Sequence, residues 1–220
     1  MNFRSGSCIV ALLVLAGSAA AQSEERRFRL IPLDEMTPEQ RAVADAIRSG
    51  PRAAVPGSSA NLATPGPPFN PWLRSPEAAD LLQRLGSYLR FKSSLPPRLN
   101  EFAILITARD WTSQYEWHAH HRLALQGGLN PAVAADLADG KRPAGMQEDE
   151  AIVYDFCTEM HRERKVSDAT YKRALDKFGE RGIIDLIAVS GYYVLVSMTL
   201  NVDRTPVPGD GKPPLRPLAR

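Results

Sequence analysis

Apolar residues recur every three or four positions along most of the chain, which is the spacing of one face of an α-helix. The alternation of apolar and polar residues that is typical of strands does not persist over any useful length. We therefore predict an all-α domain of about eight helices joined by short connections. The predicted helices lie near residues 38–50, 76–92, 97–111, 114–127, 131–140, 148–164, 168–179 and 180–201.

Helix-start signals support these boundaries. Thr37, followed by a proline and then Gln40, has the pattern of a capping box. Ser113 and Ser167 stand at the expected N-cap positions of two later helices. Glycine follows several of the helices, and Gly179 is expected to separate the last two.

Two of the predicted helices are apolar on most sides. The helix near 97–111 contains the run Phe102–Ile106, and the helix near 180–201 is apolar for most of its length. A helix that is apolar all round is buried. We therefore expect both at the centre of the fold, and for the last helix we favour a core helix over a membrane span.

The ends of the chain differ in composition from its middle. Arg4, the apolar run Cys8–Ala16 and the small residues Ala19–Ala21 form the pattern of a secretory signal peptide. We predict cleavage after Ala21 and a periplasmic or secreted protein that is not stably inserted in a membrane; an uncleaved anchor is the alternative. The predicted segments are 1–21 signal peptide, 22–72 N-terminal helix and Pro/Gly-rich loop, 73–203 helical domain, and 204–220 Pro-rich tail.

Charge and cysteine content exclude several functions. The net charge is only +2 and no long basic block occurs, so we expect no nucleic-acid partner. Cleavage after Ala21 would leave Cys157 as the only cysteine. The mature chain could then form neither an intrachain disulfide nor a Cys-x-x-Cys dithiol.

The chain has four histidines, and three of them lie in the stretch Ser113–His121, SQYEWHAHH. Glu116 and His120 are four residues apart and therefore share one side of a helix. Glu101 interrupts the most apolar part of the preceding helix, where an unpaired carboxylate is costly. If the two helices pack as an antiparallel hairpin, Glu101 can reach the Glu116–His120 pair. Two carboxylates around one imidazole favour acid–base chemistry.

Other interpretations of the cluster stay open. The buried Glu–His pair could be purely structural. A metal site would need Glu101 as a third ligand, and the His-Glu-x-x-His pattern is absent, so we predict no metal. His118 and His121 are expected at a surface or an interface.

The residues of this region resemble the carboxymuconolactone decarboxylase-like family, within the alkylhydroperoxidase D-like superfamily. The similarity is strongest over 96–140 and is carried by Glu101, Ala103–Leu105, Tyr115–Trp117, His120, Ala124 and Gly128–Leu129. The peroxidase branch of the superfamily carries Cys-x-x-Cys-x-x-x-His, and here Ser113 and Glu116 stand where its cysteines would be. A thiolate nucleophile is therefore missing from these positions.

The resemblance implies an alkylhydroperoxidase D-like helical bundle that assembles into homo-oligomers, commonly trimers or hexamers. It also implies a lyase that needs no cofactor and decarboxylates a small carboxylated lactone or related organic acid. His120 would donate or relay the proton, Glu101 and Glu116 would orient it, and Tyr115 and Trp117 would contact the substrate. Two alternatives are a peroxidase-like protein using Cys157 or a bound metal, and a non-catalytic oligomeric binding protein.

Overall fold

A computed structural model describes residues 25–55, 64–209 and 212–218, and within these ranges every regular element is helical. The all-α class predicted from the sequence is therefore confirmed. The predicted signal peptide and its cleavage point lie outside the described residues. The helices are α1 (Pro38–Ser49), α2 (Phe69–Trp72), α3 (Pro76–Phe91), α4 (Pro97–Asp110), α5 (Gln114–Gln126), α6 (Pro131–Ala138), α7 (Glu148–Glu163) and α8 (Asp168–Asp203), with 3₁₀ turns at Leu33–Glu35 and Pro51–Ala54.

Two of the three N-caps predicted above are confirmed by hydrogen bonds. Thr37 forms the capping box of α1: its Oγ1 accepts from the Gln40 N–H at 3.3 Å, and Gln40 Oε1 accepts from the Thr37 N–H at 3.0 Å. Ser167 caps α8 by accepting from the Thr170 N–H. Ser113 differs from the expectation, because it occupies the N-cap position of α5 but its side chain accepts no capping hydrogen bond.

The two last predicted helices are confirmed as two helical stretches that meet at a kink, and both are numbered together as α8. Gly179 is where we expected a break, and its φ of 67° and ψ of 176° do leave the helical region. Helical structure resumes after this kink and continues to Asp203. By length and composition α8 is apolar enough to cross a membrane, but 56% of its most apolar window is buried inside the fold.

Helix α4 is the central element. Every residue from Leu99 to Arg109 is buried, and α4 packs against α5, α7 and α8. This matches the burial that its all-round apolar sequence predicted. The large core around α4 includes Phe102, Phe156 and Leu186.

The N-terminal segment packs on the bundle through a second, smaller apolar cluster. Its members come from α1, α2 and α3 and include Ile47, Phe69 and Leu73. Trp72 contacts both clusters and donates its indole N–H to Thr199 on α8 at 2.9 Å. The segment that follows α1 is thereby held against the face formed by α3 and α8.

The described part of the C-terminal tail forms no regular element and is anchored to the bundle. Leu215 is buried, and its N–H and C=O are both hydrogen-bonded to the Gln114 side chain at 2.9 Å. The Arg216 carbonyl accepts from Arg109 at 2.7 Å. These bonds tie the tail to the turn between α4 and α5.

Candidate active site

The candidate site is built by the α4–α5 hairpin. Helix α4 ends in a Schellman motif, in which the Ser113 N–H bonds to the Ala108 carbonyl at 2.8 Å and the Thr112 N–H to the Arg109 carbonyl at 3.0 Å. Thr112 takes the left-handed position of this motif with a φ of 46°. The tight turn reverses the chain, so that α5 runs antiparallel to α4 and ends near the first turn of α4. The end of α5 approaches the start of α4 closely, since a Cβ added at Gly127 would lie only 3.2 Å from the backbone nitrogen of Arg98.

The hairpin brings the three predicted acid–base residues together. His120 Nδ1 lies 2.5 Å from Glu101 Oε2, and His120 Nε2 lies 3.1 Å from Glu116 Oε1. The convergence of Glu101, Glu116 and His120 that the sequence predicted is therefore confirmed as geometry. The contact with Glu101 has the geometry of a hydrogen bond, so this carboxylate fixes the orientation of the ring.

Glu116 is the least well solvated member of the three. Its carboxyl is buried, and its Oε1 has no partner with hydrogen-bond geometry among the described residues, although the His120 nitrogen is close. Burial raises the pKa of Glu116, and the negative charge of Glu101 adds to this effect against the opposing charges of His120 and Arg90. Glu116 therefore keeps its proton to higher pH than an ordinary glutamate does, and in its protonated form it can act as a proton donor.

A cavity of about 500 Å³ opens beside this cluster. Glu116 and His120 contribute to its wall, and so does the predicted substrate-binding residue Tyr115. Glu101 lies behind His120 instead and is 8% exposed. The volume lies within the usual range for small-molecule sites. A small organic acid can therefore reach the imidazole from the side that Glu101 does not occupy.

Four further polar residues of this cavity were not found by sequence reasoning. Arg52 comes from the 3₁₀ turn after α1, Arg90 from α3, and Tyr192 and Tyr193 from α8. The Tyr193 ring meets the His120 ring edge-on at a centroid distance of 5.1 Å. An Arg90 nitrogen lies 4.0 Å from Glu101 Oε1. Arg52 lay in a segment that the sequence marked only as a loop.

The two tyrosines remain protonated over the physiological range. Burial raises the pKa of Tyr192 to about 12 and raises that of Tyr193 well above its usual value. Each hydroxyl therefore stays a neutral group that can donate a hydrogen bond. The adjacent pair follows Gly191 inside an apolar helix, which is the sequence signal that could have revealed it.

Of three further aromatic side chains on α5, those of Trp117, His118 and His121, only His118 lines the cavity. Trp117 was expected to contact substrate, but it is 4% exposed, belongs to the main core and is not among the described residues that line the cavity. Its ring stacks on His121 at 5.8 Å. His118 is exposed at the cavity, as a surface histidine. The helical spacing explains this, because neighbouring positions on α5 point in different directions.

Cys157 does not have the surroundings of a peroxidase nucleophile. It is fully buried between α7 and α8, with its sulfur 3.5 Å from the Ser190 hydroxyl. Burial raises the pKa of the Cys157 thiol to about 12, so that it stays protonated at neutral pH. In the part of the chain that the structure describes, no group of three or more His, Cys, Asp or Glu side chains is arranged to hold a metal ion.

Comparison of the chain with protein families, with curated proteins and with solved structures found no match. The likeness to the carboxymuconolactone decarboxylase-like family thus rests on the pattern of Glu101, Tyr115–Trp117 and His120.

Proposed function

We propose that the protein is an acid–base lyase that needs no cofactor and acts on a small carboxylated lactone or a related organic acid. One observation carries the proposal: His120 has a carboxyl group at each ring nitrogen and lies on the wall of a cavity of about 500 Å³. An imidazole held in one orientation beside a space for substrate is suited to moving a proton to or from carbon.

The proposed reaction is decarboxylation. The bond between the carboxylate carbon and the ring breaks, CO₂ leaves, and the electron pair enters the conjugated lactone carbonyl to give a dienolate. One proton then adds to carbon, which balances the reaction. In our proposal the Glu101 carboxylate accepts the Nδ1–H of His120, so that Nε2 faces Glu116 and the cavity. Protonated Glu116 supplies the proton through Nε2, and the neutral Tyr192 and Tyr193 hydroxyls offer hydrogen bonds to the developing enolate.

We further propose that the chain belongs to the carboxymuconolactone decarboxylase-like family and has its alkylhydroperoxidase D-like fold. Support comes from the antiparallel α4–α5 hairpin, which carries Glu101 on one helix and Glu116 and His120 on the other. Export to the periplasm or the medium is proposed from the signal-peptide pattern of residues 1–21. Assembly into a homo-oligomer is proposed as well, with trimers and hexamers as the expected forms.

The alternatives receive less support from the described residues. The buried, protonated Cys157 thiol disfavours a peroxidase that uses this cysteine. A non-catalytic binding protein with a structural Glu–His network would not need its histidine at a cavity, whereas Glu116 and His120 both line one.

The test is an activity screen with muconolactone-type acids, in which release of CO₂ and product formation are followed by NMR. In His120→Gln we expect kcat to fall by about 10²- to 10⁴-fold, because a positioned proton donor contributes that much. His121→Gln is the matched control, since His121 lies on the same helix, stacks on Trp117 and is absent from the described cavity wall. Absence of turnover of every such acid by the wild-type chain, or full activity of His120→Gln, would overturn the proposal.

A further inference from the structure

Arg52 is a buried arginine whose guanidinium has few partners. The residue is 6% exposed, and it lines the same cavity as His120. Its Nε and Nη2 atoms have no hydrogen-bond partner among the described residues. The guanidinium carbon lies 4.9 Å from the centroid of the Phe69 ring, and the Tyr192 hydroxyl also interacts with the guanidinium. A cation over an aromatic face leaves the N–H groups in the guanidinium plane free.

The described residues compensate the charge of Arg52 poorly. Burial lowers the pKa of Arg52, which shows that its surroundings oppose the charge, yet a guanidinium remains protonated in proteins. No carboxylate among the described residues forms an ion pair with it. A buried cation without a partner is costly unless an anion binds beside it.

The neighbouring charges do not supply that anion. Arg90 is a second cation at the cavity, and its Nε is also buried without a partner among the described residues. Glu101 is engaged by His120 at 2.5 Å and lies 4.0 Å from an Arg90 nitrogen. Glu116 forms no ion pair with Arg52, and burial raises the pKa of this carboxyl. Arg52 and Arg90 thus place two cations at the cavity.

The guanidinium is held in place by close packing. A Cβ added at Gly86 would lie 2.6 Å from Arg52 Nη2 and 2.2 Å from the Tyr192 hydroxyl oxygen. Both groups therefore fill the space that a side chain at this position of α3 would need. Only glycine there allows the arginine and the tyrosine to approach the helix so closely.

We propose that Arg52 binds a carboxylate of the ligand and makes the cavity specific for small organic acids. The inference deepens the proposed function and rests on it for the identity of the ligand as an acid. The planar guanidinium, whose Nε and Nη2 have no hydrogen-bond partner among the described residues, matches the two oxygens of a carboxylate. The group that binds the acid thus comes from outside the region of family resemblance, from the N-terminal segment packed against α3 and α8.

The experiment measures binding, so it does not depend on turnover. Succinate, glutarate and fumarate are titrated into the full mature chain by isothermal titration calorimetry, with succinamide as an uncharged analogue of succinate. We expect at least one diacid to bind and succinamide to bind at least tenfold more weakly. Arg52→Gln should weaken binding of the diacid about 10- to 100-fold, as expected for the loss of charged hydrogen bonds. Arg52→Lys keeps the positive charge but loses the planar guanidinium. Its affinity for the diacid should therefore lie between those of the wild-type chain and Arg52→Gln.

Arg84→Gln is the matched control, because it removes one positive charge from an exposed position of α3 that pairs with Asp80. Its affinity for the diacid should equal that of the wild-type chain. If Arg52→Gln does not fold, Arg52→Lys and the comparison of succinate with succinamide still decide the question. The proposal is overturned if no diacid binds, if succinamide binds as tightly as succinate, or if the Arg52 variants that fold bind like wild type. Tighter binding of inorganic phosphate than of any diacid would overturn the assignment of a carboxylate.

The two proposals fail in different ways. Diacid binding that depends on Arg52, together with unchanged turnover in His120→Gln, supports the carboxylate site and rejects the proposed lyase mechanism. Loss of turnover in His120→Gln, together with diacid binding that does not depend on Arg52, supports the mechanism and rejects the carboxylate site.

Discussion

Glu116 shows how the surroundings of one residue can set its chemistry. Its position on α5 buries the carboxyl, and Glu101 places a second carboxyl on the other side of His120. Both effects raise the pKa of Glu116, with burial as the larger cause. Asp185 is the contrast: burial opposes its charge too, but hydrogen bonds from Ser94 and Tyr88 outweigh this and lower its pKa.

The raised pKa of Glu116 predicts a particular pH dependence of stability. Above its ordinary pKa the unfolded chain loses this proton while the folded chain keeps it, so the free energy of unfolding falls as pH rises. Glu116→Gln removes the contribution of this carboxyl to the pH dependence of the free energy of unfolding. Between pH 5 and pH 8 the variant should gain stability relative to wild type, by about 1.4 kcal/mol for each pH unit over which folded Glu116 keeps its proton. Urea denaturation at several pH values measures the difference.

The control for this prediction is Glu163→Gln, an exposed carboxyl near the end of α7. Its free energy of unfolding should follow that of wild type at every pH. A difference between Glu116→Gln and wild type that stays constant from pH 5 to pH 8 would contradict the assignment.

At the scale of elements, an ion cluster joins the first turns of α4 and α7. Arg98 on α4 contacts Glu150 at 2.5 Å and Asp149 at 2.7 Å. Glu150 is 1% exposed and also accepts from the Gln147 N–H at 2.7 Å, which completes the capping box of α7. The end of α5 closes against Arg98 as well, through the contact at Gly127. Three elements of the site scaffold thus meet at one arginine.

Arg98→Ala should be strongly destabilising, because it leaves the buried Glu150 carboxylate without its cation. The expected loss is about 3–5 kcal/mol in the free energy of unfolding, measured by urea denaturation at pH 7. Arg84→Ala breaks the exposed pair with Asp80 on α3 and should cost less than about 1 kcal/mol. Equal losses in the two variants would show that the Arg98 cluster does not hold these helices together.

At the scale of the whole molecule, two adjacent helices expose large apolar side chains. On α8, Ile184, Ile187 and Met198 are 62%, 45% and 45% exposed and follow helical spacing. On α3, Leu81 and Leu85 are 57% and 43% exposed. The two helices lie side by side, as the 3.0 Å hydrogen bond from Tyr88 to Asp185 shows. Several exposed apolar side chains on two adjacent helices are typical of a protein–protein interface, which supports the proposed homo-oligomer.

Ile187→Glu should therefore lower the molar mass of the assembly, since a charge at an apolar interface opposes association. Light scattering coupled to size-exclusion chromatography measures this mass. Leu30→Glu is the control, because Leu30 is 44% exposed but lies in the N-terminal segment and outside both helices. A monomeric wild-type chain, or an Ile187→Glu variant with unchanged mass, would contradict the prediction.

The helical class, most helix boundaries and the Glu101, Glu116 and His120 cluster were predictable from the amino-acid sequence alone. These features depend on interactions between residues a few positions apart, such as the Thr37 capping box, and on one short turn between α4 and α5. Spacing along a helix is enough to place Glu116 beside His120. The turn near Thr112 is then enough to bring Glu101 within reach.

The other residues of the cavity were not predictable from the sequence, because packing between distant elements brings them together. Arg52 and Arg90 are 38 positions apart and meet because α1, α2 and α3 pack together, and no periodic pattern marks Arg52. Packing between elements also sets the position of Trp117. The family pattern suggested Trp117 as a substrate contact, but its side chain lies in the core. Local spacing determines the direction of a side chain from its own helix. Whether that direction meets a cavity or a core depends on the elements packed against it, which come from distant parts of the chain.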